Sequence, residues 1–483
     1  MIGIKFVIVD ICQLDTLMQH CSVCASINSV ERKRVGSVIT YHTRCFKHDH
    51  QFSWSTTPKE KNTPIFNILL AAAIFCAGIG YTTIRKMTDA IGLAFFSHQT
   101  FYSHINNFTA PILRHSWIRM REEIFKDLQS KDDLVVSGDA RFDSPGHSAK
   151  YALYSIMSNF NNKIIDFVLW QKGFLPGEME SKSCAYVFNR LVEKLGVGKV
   201  RIFCTDRNPS VAKMMRENFK DVEHAFDVWH LAKGLRKKLI AVAKKHKQIE
   251  GWIEAIVNHI WHVSSTCGGD SDTLLEKWNS MLYHIRGKHQ WKEGKETKTC
   301  DHRTYEDESE AKIDWITDES AFAALKKVTH NTRFLNQLKH CKHFVHTGNL
   351  ESFHNVILVY ASKRVHFFYE NMLLKTILAV LDHNHNTGRA SVGTKTTFSK
   401  LRKTYQLETK YEEKCNEWRA NLLEEIEKYA KSPGLLGTEE EEILILSPPH
   451  DVPRNINSVP LPSREELELR RNIRMRAAEH QIE

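Results

Sequence analysis

The chain has 483 residues, 42% hydrophobic and 26% charged, which excludes wholesale disorder and leaves room for about two to four domains with a sizeable core. Lys and Arg number 67 against 57 Asp and Glu, a net +10 that suits a polyanionic partner without demanding one. Eleven cysteines are too sparse for a disulfide framework, so they read as reduced, intracellular thiols, and close pairs read as metal ligands.

Met1–Leu14 is apolar but short and lacks a small-residue cleavage site, so it is not read as a secretory signal. Residues 1–64 then present two ligand pairs, Cys21-x-x-Cys24 and Cys45-x-x-His48. Two intervening residues let each pair wrap one side of a tetrahedral ion, and the β-type run Val35–Tyr41 between them suits a zinc-ribbon hairpin. The expectation is a structural Zn²⁺ held by Cys21, Cys24, Cys45 and His48, with His50 as the alternative fourth ligand.

The most apolar stretch, Ile65–Ile79, is broken by Asn67 and is shorter than the roughly 20 residues of a membrane span, so it reads as a buried helix. Asn67–Cys76, Thr82–Ile91 and Ser97–Asn107 read as three helices with short breaks. Residues 65–130 therefore resemble a helix-turn-helix DNA-binding segment.

From Asp132 strands alternate with helices. Leu134–Asp139 is an apolar run ending in a carboxylate, and Tyr151–Ser158 and Lys163–Trp170 follow, joined by the turn Asn159–Asn162. After an amphipathic helix at Ser183–Leu195, the strand Lys199–Asp206 ends in a second carboxylate; a helix at Pro209–Asn218 and a short strand at Val222–Phe226 complete the series. In a central sheet the first and fourth strands can be neighbours. Asp139 and Asp206 would then repel unless a hard divalent cation, Mg²⁺ or Mn²⁺, joined them. Two such ions about 4 Å apart serve in-line attack at phosphorus. A third acid is required, and pattern alone does not select it.

Residues 227–344 read as mostly helical, with a polar loop at Lys292–Glu310 and with Trp252, Trp261, Trp278 and Trp291 as core. Lys233, Arg236, Lys237 and Lys238 open a basic run on one helix, a track for a phosphate backbone. Gly348–Tyr429 reads as helical. Beyond Ser432 prolines and the acidic run Glu439–Glu442 mark a mostly disordered tail with a short charged helix at Arg464–Glu479.

Four blocks in order, Gly138–Lys150 (GDARFDSPGHSAK), Thr205–Pro209 (TDRNP), Phe226–Lys233 (FDVWHLAK) and His346–His354 (HTGNLESFH), resemble the RNase H-like DDE transposases of eukaryotic cut-and-paste elements. The resemblance is to the Kolobok-like group, related to the Mutator and hAT types. It implies an α/β RNase H-like mixed sheet over residues 131–390, interrupted by a helical insertion at about 227–344. A zinc module and a helical segment precede that core, and a C-terminal helix and tail (391–483) follow it.

The resemblance further implies that Asp139, Asp206 and Glu351 form the metal triad, and that Asp227-x-x-His230 places His230 beside it. Glu351 also lies at the start of a helical run, Asn349–Tyr360, where it can point back at the strand ends. Arg207, Lys363 and Arg364 are further candidate DNA contacts. The implied activity is metal-dependent strand cleavage and strand transfer on double-stranded DNA, by a nuclear homo-oligomer. A catalytically silent DNA-binding descendant and an RNase H-like nuclease are the alternatives. Asp143, His147, His346 and His354 are possible helpers.

Overall fold

The protein is described from a computed structural model covering residues 5–60, 63–144, 149–172, 178–196, 198–293, 296–300, 314–363, 365–399, 404–432 and 462–479. A short helix α1 (Ile11–Met18) leads into an antiparallel sheet of β1 (Asn28–Val35), β2 (Val38–Cys45) and β3 (Gln51–Ser55). The β1–β2 turn is closed by Gly36 at φ +65°, where a Cβ would meet Asn67 Nδ2 at 2.5 Å. Asn67 uses that closeness: its Nδ2 donates to the Val35 carbonyl (3.0 Å) and its Oδ1 accepts from the Ser37 amide (3.1 Å). The polar break in the most apolar stretch thus ties the small sheet to the helix that follows.

A two-residue pair, β4 (Lys59–Glu60) and β5 (Thr63–Pro64), precedes α2 (Ile65–Cys76), α3 (Tyr81–Ala90) and α4 (His98–His104). α4 continues through a π-helical turn, Ile105–Thr109, into α5 (Ala110–Gln129). The three expected helices form, but they share one hydrophobic core with the central sheet instead of making a separate one. Trp117 of α5, for example, packs on Phe167 at 5.4 Å between ring centroids. Among the described residues no single helix is long and apolar enough to cross a membrane.

The central sheet is mixed. Its strands are β6 (Leu134–Phe142), β7 (Tyr151–Ser158), β8 (Ile164–Gln171), β9 (Val200–Thr205) and β10 (Glu223–Phe226), ordered β10-β9-β6-β7-β8. β6, β7 and β8 form an antiparallel meander, while β9 and β10 run parallel to β6 on its other side. The parallel strands are reached through α6 (Met179–Leu195) and α7 (Pro209–Asn218). β7 and β8 are buried along their whole length, as strands covered on both faces must be. The charge they enclose, Asp166, is paired with Arg190 of α6 (2.7 Å) and Arg121 of α5 (3.7 Å). That network fixes one helix from each part of the chain to the sheet.

After β10 the chain leaves for a helical body: α8 (Val228–Ala243), α9 (Ile253–Thr266), α10 (Ser271–His284), a hairpin of β11 (Gln290–Glu293) and β12 (Glu296–Thr299), α11 (Glu319–Thr329) and α12 (Thr332–Lys339). These helices bury a core of their own. Trp252, Trp278 and Trp291 are buried, and Trp261 packs against that core. The hairpin replaces the start of the loop expected at Lys292–Glu310, since Trp291 stacks on Tyr283 at 4.7 Å and holds it. The chain returns through α13 (Gly348–Tyr360) and α14 (Tyr369–Asn386), which complete the main core.

An exposed hairpin, β13 (Ser391–Ser399) and β14 (Thr404–Tyr411), interrupts the helix expected to reach Tyr429. Its alternating Thr, Val, Phe and Tyr residues carry the period of a strand. α15 (Glu417–Lys431) then packs Trp418, Leu422 and Ile426 back onto that core, and α16 (Arg464–Glu479) has the expected bounds. The acidic run and most of the prolines of the tail lie outside the described residues.

Candidate active site

Strand register builds the site. Pairing between β6 and β9 reaches Ser137–Cys204, and pairing between β10 and β9 reaches Phe226–Thr205. One or two residues further along, Asp139, Asp206 and Asp227 follow at the same end of three adjacent parallel strands. In open α/β sheets this carboxyl end is where ligands bind. Asp139 does not terminate its strand as the sequence suggested: β6 runs on to Phe142, paired with β7 alone. The residue before it must be glycine, because a Cβ at Gly138 would lie 2.7 Å from the Phe203 ring and 2.8 Å from the Tyr154 hydroxyl.

The electrostatics are repulsive. Burial, and then the charge of Asp206, push the Asp139 carboxyl up to about 7, although the Ala140 amide donates to it at 2.8 Å. Asp206 accepts from the Asn208 amide at 3.1 Å, in the turn that starts α7. A further acid, Glu180 in the first turn of α6, joins this field: burial and then Asp206 push it to about 7. Sequence reasoning missed Glu180. An acid in the first turn of an amphipathic helix is accounted for by the macrodipole, so nothing marked it out.

Asp227 serves the site from beneath. It is the buried N-cap of α8, accepting from the His230 amide at 3.1 Å, and its other oxygen takes His230 Nδ1 at 3.0 Å and the Thr347 amide at 3.0 Å. Burial opposes its charge, yet hydrogen bonds from His230 and Thr347 outweigh it and hold the carboxyl down at about 2. The hydrogen bond to Asp227 raises the His230 imidazole in turn. Thr347 caps α13, so Asp227 joins the starts of the two helices that carry His230 and Glu351. His230 Nε2 lies 3.9 Å from Glu351 Oε1. On the other flank His354 Nδ1 lies 3.7 Å from Asp139 Oδ2, its imidazole pushed down to about 3 by burial and then by Arg141.

The structure therefore sets Asp139 abreast of Asp206 and links Glu351 to them through His230. The three carboxylates do not form a group within 4.8 Å of one another. A cation in this space would draw together groups that now repel; oxygen donors of this kind fit Mg²⁺ or Mn²⁺.

The expected DNA contacts divide. Arg207 turns inward, donating to Gln337 Oε1 (3.1 Å) and the His230 carbonyl (3.2 Å). Arg236 pairs with Glu254. Lys233 lies over the Trp229 ring at 4.2 Å, and Lys233, Lys237 and Lys238 are exposed along α8. Lys363 lines a 320 Å³ cavity with Arg141 and His354. Arg364 and His147 lie outside the described residues. Asp143 accepts from the Lys150 and Tyr151 amides (3.0 and 3.2 Å), the work of a turn residue. His346 packs beside Trp261, 6.3 Å between ring centroids.

In the N-terminal module Cys21, Cys24, Cys45 and His50 have ligand atoms within 4.8 Å of one another. His48 is not among them. A turn with Asp49 at φ +57° reverses the chain, the Cys45 amide donates to the His50 carbonyl at 2.9 Å, and His48 is left exposed. Cys21 Sγ to His50 Nδ1 is 3.4 Å and Cys24 Sγ to Cys45 Sγ is 3.5 Å. The edges of a tetrahedron with zinc's bond lengths are about 3.6 and 3.8 Å. Hydrogen bonds from Ser26 lead the effects that lower the Cys24 thiol to about 6, towards the thiolate that zinc requires.

Residues 6–173 match a family model described as Mutator-like transposase. That span, roughly a third of the chain, holds the Cys/His module, the helices through α5 and the strands through β8. It includes Asp139 and ends before Asp206, His230 and Glu351. The similarity is to a family of transposases, proteins that act on nucleic acid. No curated protein matches the chain.

Proposed function

We propose that this chain is a DDE-type DNA transposase of the Kolobok-like group, cutting and joining double-stranded DNA in the nucleus. The single observation that carries the reading is the pair Asp139 and Asp206, abreast at the ends of parallel strands, where burial and then the charge of Asp206 lift the Asp139 carboxyl to about 7. The RNase H-like fold is supported by the strand order. A three-stranded meander has its first strand central, flanked on the other side by two parallel strands reached through helices. The insertion between Asp206 and Glu351, with a core of its own, supports the family reading further.

Asp139, Asp206 and Glu351 would hold the metal. Divalent ions bound there supply activation of the attacking oxygen and stabilisation of the leaving oxygen. His230, its imidazole raised by the hydrogen bond to Asp227, offers an N–H beside Glu351 for a phosphate oxygen. Lys237 and Lys238 offer charge along α8 for the backbone of the DNA. Zinc at Cys21, Cys24, Cys45 and His50 would fold the N-terminal module and, with residues 65–130, place the element end. Two ends must be held together, which calls for a homo-oligomer.

The test is cleavage of element-end DNA by the purified chain with Mg²⁺. Strand nicking that disappears in Asp206→Ala supports the reading. Nicking undiminished in that variant sinks the triad. Tight DNA binding with no nicking in the wild type would point to a silent descendant.

A further inference from the structure

We propose that His284, His289 and Cys300 form a second zinc site, in the helical insertion, that clamps the β11–β12 hairpin to α10. Their ligand atoms all lie within 4.8 Å of one another. Three separate constraints produce this convergence.

His284 is the last residue of α10, and the chain turns directly after it, the Gly287 amide donating to the His284 carbonyl at 2.9 Å. The hairpin then starts from His289. Its register pairs Gln290 with Thr299, and the ladder extends one step further, where the Cys300 amide donates to the His289 carbonyl at 3.1 Å. His289 and Cys300 therefore face each other across the hairpin's base, and His284 reaches them from the helix. Cys300 Sγ lies 3.7 Å from His284 Nδ1, close to the S···N edge of about 3.6 Å around tetrahedral zinc. The two imidazoles stand edge to face at 5.0 Å.

A thiol–imidazole hydrogen bond explains Cys300 beside His284. A zinc ion accounts for all three side chains meeting at one point. The surroundings favour an ion as well. Trp315 packs on both imidazoles, at 5.8 Å from His284 and 5.6 Å from His289, and Trp252 stacks on Trp315 at 5.6 Å. The Trp252 indole N–H is spent on the Asp314 carbonyl at 2.9 Å. The two indole rings thus line one side of the site. On the other side His284 and Cys300 line a 250 Å³ cavity shared with His259 and His262. Two imidazoles and one thiolate select zinc among common divalent ions, and among the described residues these three make up the group. A two-stranded hairpin is marginal alone, and among its described residues only Trp291 is buried, so a clamp at its base adds stability.

The experiment measures zinc by elemental analysis on the full chain, and compares His289→Ala/Cys300→Ser with the wild type. The account expects the variant to hold one zinc per chain fewer. A second variant, Cys21→Ser/Cys45→Ser, should keep this zinc, and on Co²⁺ exchange it should show a thiolate-to-cobalt absorption band that Cys300→Ser abolishes. Unchanged zinc in His289→Ala/Cys300→Ser overturns the proposal. So does a folded Cys21→Ser/Cys45→Ser protein with no cobalt–thiolate band. If Cys21→Ser/Cys45→Ser does not fold, the zinc count of the first comparison decides alone.

Discussion

At the end of the central sheet, acids at 139, 206 and 351 are brought near each other by strand register and by a helix returning from beyond a whole inserted body. In the N-terminal module, four candidate ligands come from two tight turns within residues 21–50. The first set is crowded and buried, and burial and then the charge of Asp206 push the Asp139 carboxyl up to about 7. The second already stands close together, with two of its ligand pairs at 3.4 and 3.5 Å. Ligand removal should therefore act with opposite sign in the two places. Deleting a zinc ligand takes away folding energy, whereas neutralising a crowded carboxylate relieves strain that function alone requires.

The largest expected effect is on chemistry. Asp206→Ala should cut strand cleavage by about 10³-fold or more, the scale seen when a group facing transition-state charge is removed. Gel assays of nicked product check it, with circular dichroism showing the fold intact. Next comes the soft site: Cys21→Ser/Cys45→Ser should cost the N-terminal module several kcal/mol, on the order seen for metal-dependent small domains. Limited proteolysis should then release that module while the sheet domain persists. Equal loss of both regions would break the contrast.

Asp139→Asn sharpens the comparison, because it should abolish cleavage yet raise stability at pH 8 by about 1–3 kcal/mol. The sign follows from the pKa. A carboxyl raised from the ordinary range to about 7 in the folded state favours folding at acid pH, and that contribution is lost as pH rises towards and through 7. Urea titrations at pH 5 and pH 8 read it: the variant's gain should appear at the higher pH and shrink at the lower. Glu180→Gln should act more mildly, weakening Mg²⁺ dependence of cleavage by roughly threefold to tenfold through loss of charge facing Asp206. The smallest effect belongs to Lys237→Ala/Lys238→Ala, which should flatten the slope of log affinity for DNA against log salt by about 1.8.

Much of this was legible in the sequence for local reasons. A strand followed by an acid, repeated, was enough to set Asp139 beside Asp206, because parallel neighbours carry their ends to one edge. Cys21 and Cys24 were readable from spacing. The fourth ligand was less so: choosing His50 over His48 depends on the backbone turn at Asp49, which spacing does not encode. Glu351 was reachable only through a resemblance, since its place depends on the Asp227–Thr347 hydrogen bond across the insertion. Glu180 and the His284–His289–Cys300 cluster were not legible. Both arise from contacts between elements that no local period announces. The β13–β14 hairpin is legible too: its alternating Thr and Tyr carry a strand period, which is why the helix expected to reach Tyr429 is interrupted there.

The central claim is that Asp139, Asp206 and Glu351 jointly hold divalent cations. Its most direct test is Mn²⁺ binding to the zinc-loaded full chain, followed by electron paramagnetic resonance at pH 8 and pH 6. The account predicts binding by the wild type that weakens at pH 6, as the proton on Asp139 competes, and that falls at least tenfold in each of Asp139→Asn, Asp206→Asn and Glu351→Gln. Wild-type Mn²⁺ affinity retained in Asp206→Asn would contradict it.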